Sequence, residues 1–65
     1  MYTVKGYIKR QDKIITKNFG SIKDANKFID NMLYKYDCQV AESYKEDNKE
    51  RYFCEDQSTI VLESI

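Results

Sequence analysis

The 65-residue chain contains no histidine. That removes the commonest general base and metal ligand, and with it the Ser-His and Cys-His nucleophile arrangements. Its two glycines, Gly6 and Gly20, stand apart, so no phosphate-cradling loop of the Walker or dinucleotide type can be assembled. No apolar run is long enough to span a bilayer, and Met1-Tyr2-Thr3-Val4-Lys5 lacks the basic-then-apolar order of a secretory leader. A cytoplasmic protein with no membrane association is expected. Proline and tryptophan are also absent while Lys, Asn, Ile, Asp and Tyr abound, the usage of an AT-rich genome. Carboxylate pairs such as Glu55-Asp56 remain as conceivable acid and base, but carboxylates this common on strand ends mostly solubilise. The expectation is a non-enzyme with neither metal nor cofactor.

What is present fits one small domain, residues 1–65. A chain of this size buries only about 60% of the surface its unfolded form exposes. Its stability should lie near 3 to 10 kcal/mol, so a homodimer or another partner would matter to the folded state. The net charge is zero, yet it is divided. Residues 1–36 hold eight Lys/Arg and three Asp/Glu, whereas residues 37–65 hold three and eight. Such asymmetry bears on partners; equally, the two halves can simply attract each other across a soluble surface.

Tyr2, Val4, Gly6 and Ile8 alternate with Thr3, Lys5, Tyr7 and Lys9, the period of a half-buried strand. Lys13 to Phe19 is again β-like, giving a hairpin over 2–19. With Gln11-Asp12 as its turn, Arg10 would face Lys13, Ile8 would face Ile15 and Val4 would face Phe19. Ser21-Ile22-Lys23-Asp24 then resembles a capping box with Ser21 as N-cap. Ala25, Phe28, Ile29, Met32, Leu33 and Tyr36 form a continuous helical stripe, which predicts a helix over 22–35. Strands follow at 38–44, 51–55 and 59–63, the first two separated by a polar loop, Lys45 to Glu50. The register of the 38–55 hairpin is open. Either Phe53 or the Tyr52 and Cys54 pair can share the face of Cys38 and Val40. The order ββαβββ implies an α+β fold, an antiparallel sheet with one helix packed on one face.

Cys38 and Cys54 admit three readings. They can be small hydrophobes at strand positions of a reduced cytosolic protein. They can form a disulfide, if the register brings their Cα atoms within about 4.4 to 6.8 Å. As zinc ligands they supply two thiolates where a structural site wants about four donors, so only a symmetric dimer would complete it.

Two surfaces can meet a macromolecule. Glu42, Glu46, Asp47, Glu50, Glu55 and Asp56 lie on one hairpin and the turn after it, interleaved with Tyr44, Tyr52 and Phe53. Carboxylates along a strand pair can imitate phosphates and engage a basic groove, with the aromatics as anchors. The plainer reading is a charged hairpin that keeps an edge strand from aggregating, its acidity diluted by Lys45, Lys49 and Arg51. On the first hairpin Lys5, Tyr7 and Lys9 project away from the core, flanked by Arg10 and Lys13. Basic residues around an aromatic on an open sheet suit single-stranded nucleic acid. Against this stand one outward Tyr, the lack of any RNP-like or helix-turn-helix pattern and the zero net charge.

A Met-initiated, His-free, Tyr-rich, charge-divided chain of this size with a ββαβββ pattern resembles the small proteins of bacteriophages and mobile elements of AT-rich Gram-positive bacteria. Among these it is similar in kind to anti-CRISPR proteins and other inhibitors of host defence. The resemblance implies a stoichiometric inhibitor, a nucleic-acid mimic that occupies the nucleic-acid or target-recognition groove of a Cas nuclease in the host cytoplasm. A phage structural or assembly component is the remaining reading.

Overall fold

A computed structural model describes residues 1–64; Ile65, the last residue of the expected domain span, lies outside the described residues. Five strands, β1 (Tyr2–Ile8), β2 (Lys13–Phe19), β3 (Val40–Glu46), β4 (Lys49–Cys54) and β5 (Thr59–Ser64), form one sheet in the order β2-β1-β5-β4-β3. Every pairing is antiparallel. One helix, α1 (Ile22–Lys35), lies on one face. The fold is α+β.

The helix follows from its local chemistry. Ser21 is extended, and its hydroxyl accepts the Asp24 N–H at 3.2 Å, satisfying one of the orphan donors of the first turn. Ala25, Ile29 and Met32 are buried, Phe28 and Leu33 are half-buried, and Tyr36 closes the stripe just past the last turn. These residues meet Val4, Ile8, Ile60 and Leu62 from the two central strands to make the core. Gly6 leaves the space that the end of the Met32 side chain occupies over the sheet. A Cβ there would lie 2.5 Å from Met32 Cε.

The first hairpin pairs two residues away from the expected register. Ile8 faces Lys13, Gly6 faces Ile15 and Tyr2 faces Phe19. Gln-Asp is a poor two-residue turn, and the chain instead reverses over Lys9–Gln11, a 3-10 turn, with Asp12 left-handed at φ 47° and ψ 47°. A shift of two residues leaves each side chain on its face, so the apolar pattern cannot distinguish the two registers.

The second hairpin also departs from expectation. β3 starts at Val40 instead of Cys38, and the strands continue through most of the expected polar loop to leave Asp47-Asn48 as the turn. The partner shift between Val40 and Glu42 inserts Ala41 as a bulge. Tyr52 and Cys54 are thereby placed toward the helix and Phe53 away from it, which resolves the open register. Left-handed backbone occurs at Asp12, Asp37, Asp47 and Gln57, and at neither glycine. Aspartate tolerates that region better than most residues.

Candidate functional site

Among the described residues no element covers the sheet face opposite α1, and strand register fixes what it displays. Three rows cross it from β2 to β3: Ile14, Tyr7, Thr59, Phe53 and Glu42; then Thr16, Lys5, Val61, Arg51 and Tyr44; then Asn18, Thr3, Glu63, Lys49 and Glu46. Tyr44 and Phe53 meet edge to face, with ring centroids 5.6 Å apart. The Tyr44 hydroxyl donates to Glu42 at 2.7 Å, and this bond raises the pKa of the phenol. Tyr7 likewise donates to Asp12 at 3.1 Å, with the same effect. Lys49 and Glu63 form an ion pair at 3.2 Å within the third row.

The expected acidic surface is divided by this geometry. Glu42, Tyr44, Glu46 and Phe53 lie on the open face, and Asp47 forms the adjoining turn. Glu50 and Tyr52 point to the helix side, where the Tyr52 hydroxyl donates to Glu50 at 2.6 Å and Lys45 stands 3.8 Å from the same carboxylate. Glu55 and Asp56 lie in the β4–β5 turn. There Asp56 faces inward, accepting the Ser58 N–H at 3.0 Å and standing 3.1 Å from Arg10 Nε. The Ser58 N–H, its hydroxyl and the Arg10 charge hold the Asp56 carboxyl below its ordinary range, against the opposing effect of desolvation. Among the described residues, Glu46, Asp47 and Glu55 have no ion pair. All seven residues of β3, an edge strand, are exposed.

The expected basic surface is divided as well. Lys5 and Tyr7 stay on the open face. Lys9 reaches Gln57, and Arg10 donates to the carbonyls of Tyr36 and Asp37 besides pairing with Asp56, which makes it a brace between three segments. Lys13 lies on the helix side at the β2 edge, with its ammonium 5.8 Å from the Tyr36 ring centre and 3.3 Å from the Tyr36 hydroxyl. In its place the fold brings Arg51 and Val61 to the middle of the open face. Sequence reasoning missed Arg51 because its facing follows the open register of the second hairpin, and missed Val61 because only the pairing of β5 with β1 sets it beside Lys5.

Cys38 and Cys54 are buried free thiols at the C-terminal end of α1, where Asp56 joins them. Burial, and then the neighbouring Cys38, push the Cys54 thiol up to about 11. No family model, curated protein or solved structure matches the chain. No helix among the described residues is long and apolar enough to cross a membrane.

Proposed function

We propose that this protein is a non-enzymatic binding module that docks on a basic protein surface through the outer face and tip of the β3–β4 hairpin. The observation that supports this is the fully exposed edge strand β3, which presents Glu42, Tyr44 and Glu46 and leads into Asp47 in the turn, with no cation of the described residues in an ion pair with Glu46 or Asp47. Tyr44 is 51% exposed and braced by Phe53, so it offers a large contact area held in one orientation. The carboxylates add a field that speeds encounter with a cationic groove. The finer proposal is an inhibitor made by a phage or mobile element. It works in the host cytoplasm and occupies the nucleic-acid groove of a defence nuclease such as a Cas protein. The test is affinity capture from the cell that makes the protein, with wild type and Glu46→Lys/Asp47→Lys as parallel baits. A basic nucleic-acid-processing protein should be retained by the first and lost by the second.

A second reading rests on a different observation. Lys5, Tyr7, Arg51 and Phe53 share the open face, a richer platform for single-stranded nucleic acid than the first hairpin alone. Glu42, Glu46 and Glu63 on that face oppose phosphate binding. Fluorescence anisotropy with labelled oligonucleotides at two salt concentrations decides, since no binding at low salt eliminates it.

A further inference from the structure

Three donor side chains converge beside the β4–β5 turn. The donor atoms of Cys38, Cys54 and Asp56 all lie within 4.8 Å of one another. Both cysteines are buried, and Oδ2 of Asp56 is a buried oxygen that makes no hydrogen bond and is paired only with the Arg10 guanidinium at 3.1 Å. We propose that Cys38, Cys54 and Asp56 form, within one chain, a site for a thiophilic divalent cation of the zinc class. The site is independent of the hairpin surface described above.

The spacing is near that of this ligand set. Zinc–sulfur bonds of about 2.3 Å and zinc–oxygen bonds of about 2.0 to 2.2 Å, at tetrahedral angles, hold donors roughly 3.5 to 3.8 Å apart. The observed spread of 4.8 Å or less lies about 1 Å outside that separation. The Glu55 N–H donates to the Gln39 carbonyl at 2.9 Å and Val40 pairs with Cys54, which brings the segment before β3 beside the β4–β5 turn. The two thiols are free. Two thiolates also select against magnesium and calcium, which prefer oxygen donors.

Charge and orientation agree with the spacing. As the two sulfur–metal bonds form, both thiols release their protons to solvent, leaving two thiolates and one carboxylate. Arg10 beside Asp56 and a divalent ion then bring the buried group to neutrality, so no uncompensated charge is left in the interior. Asp56 is oriented before any ion arrives, because Oδ1 accepts the Ser58 N–H and Arg10 is itself fixed by the Tyr36 and Asp37 carbonyls. A surface groove of about 210 Å³, lined by Arg10, Asp37, Gln39, Glu55 and Asp56, adjoins the carboxylate. It opens the Asp56 side of the cluster to solvent.

The test is titration of the reduced, full-length protein with Co²⁺, read by absorption. One ion per chain should saturate a thiolate-to-cobalt charge-transfer band together with the visible bands of four-coordinate cobalt, and Zn²⁺ should displace it. Asp56→Asn should weaken Co²⁺ binding at least about tenfold, while Asp30→Asn, on the exposed helix face, should leave it unchanged. The cysteine variants can lose packing, so wild type supplies the second readout. One equivalent of Zn²⁺ should slow alkylation of both thiols about tenfold or more, measured by mass. Absence of the charge-transfer band, saturation at half an ion per chain, undiminished affinity in Asp56→Asn or alkylation indifferent to zinc would each overturn the proposal.

Discussion

Tyr52 links a local contact to a pH dependence. Its hydrogen bond to Glu50, then partial burial, push the phenol from 10.0 up to about 12. The folded state therefore holds this proton more tightly than the unfolded chain. The resulting stabilisation is complete below about pH 10 and is lost as pH rises toward about 12. Cys54, raised from 9.0 to about 11 by burial and by Cys38, acts in the same direction from about one unit lower. Urea midpoints measured from pH 8 upward should fall across this window, and Tyr52→Phe should fall less steeply than wild type; equal slopes would contradict the assignment. Gly6 gives a second residue-level expectation. Gly6→Ala should be nearly neutral, because Met32 Cε is the flexible end of its side chain and a strand interior gains from losing glycine. Gly6→Val adds branches that Met32 and Ile60 have no room for, and should cost about 1 to 3 kcal/mol in urea denaturation.

At the scale of elements, α1 was legible to the residue because two independent signals coincide. The apolar stripe sets its buried face, and Ser21 sets its start. Ser21→Ala should cost about 0.5 to 2 kcal/mol in chemical denaturation and increase amide exchange in the first turn; no change in either would mean that the cap is redundant. The hairpins were legible as strands and obscure as turns. This chain places Asp12, Asp37, Asp47 and Gln57 at its left-handed positions and keeps both glycines out of them, so the usual glycine punctuation is missing. Alternation assigns faces but is blind to a shift of two, and the Ala41 bulge breaks the parity that would have carried Phe53 to the core side. Asp56 lies in the turn beyond β4, where strand alternation no longer assigns faces. The convergence of Cys54 and Asp56 with Cys38 was not readable, because it depends on that bulge and on the Gln39–Glu55 hydrogen bond.

At the scale of the whole molecule, the charge division of the sequence becomes a spatial one without being cancelled. β2 and β1, from the basic half, lie at one side of the sheet, and the β3–β4 hairpin lies at the other. The Arg10–Asp56 ion pair joins the halves. Of the acidic set read from the sequence, the fold retains a coherent subset, Glu42, Tyr44, Glu46, Asp47 and Phe53, and turns Glu50, Tyr52 and Asp56 to internal contacts. A charge reversal placed at Glu46 and Asp47 therefore changes the field of the edge and the tip while leaving the core bonds in place. The most direct measurement is calorimetry of the purified capture partner with wild type and with Glu46→Lys/Asp47→Lys, both verified as folded by circular dichroism. The hairpin account predicts at least a tenfold loss of affinity, about 1.4 kcal/mol, that narrows at high salt. Equal affinity in the folded double variant at low salt would contradict it.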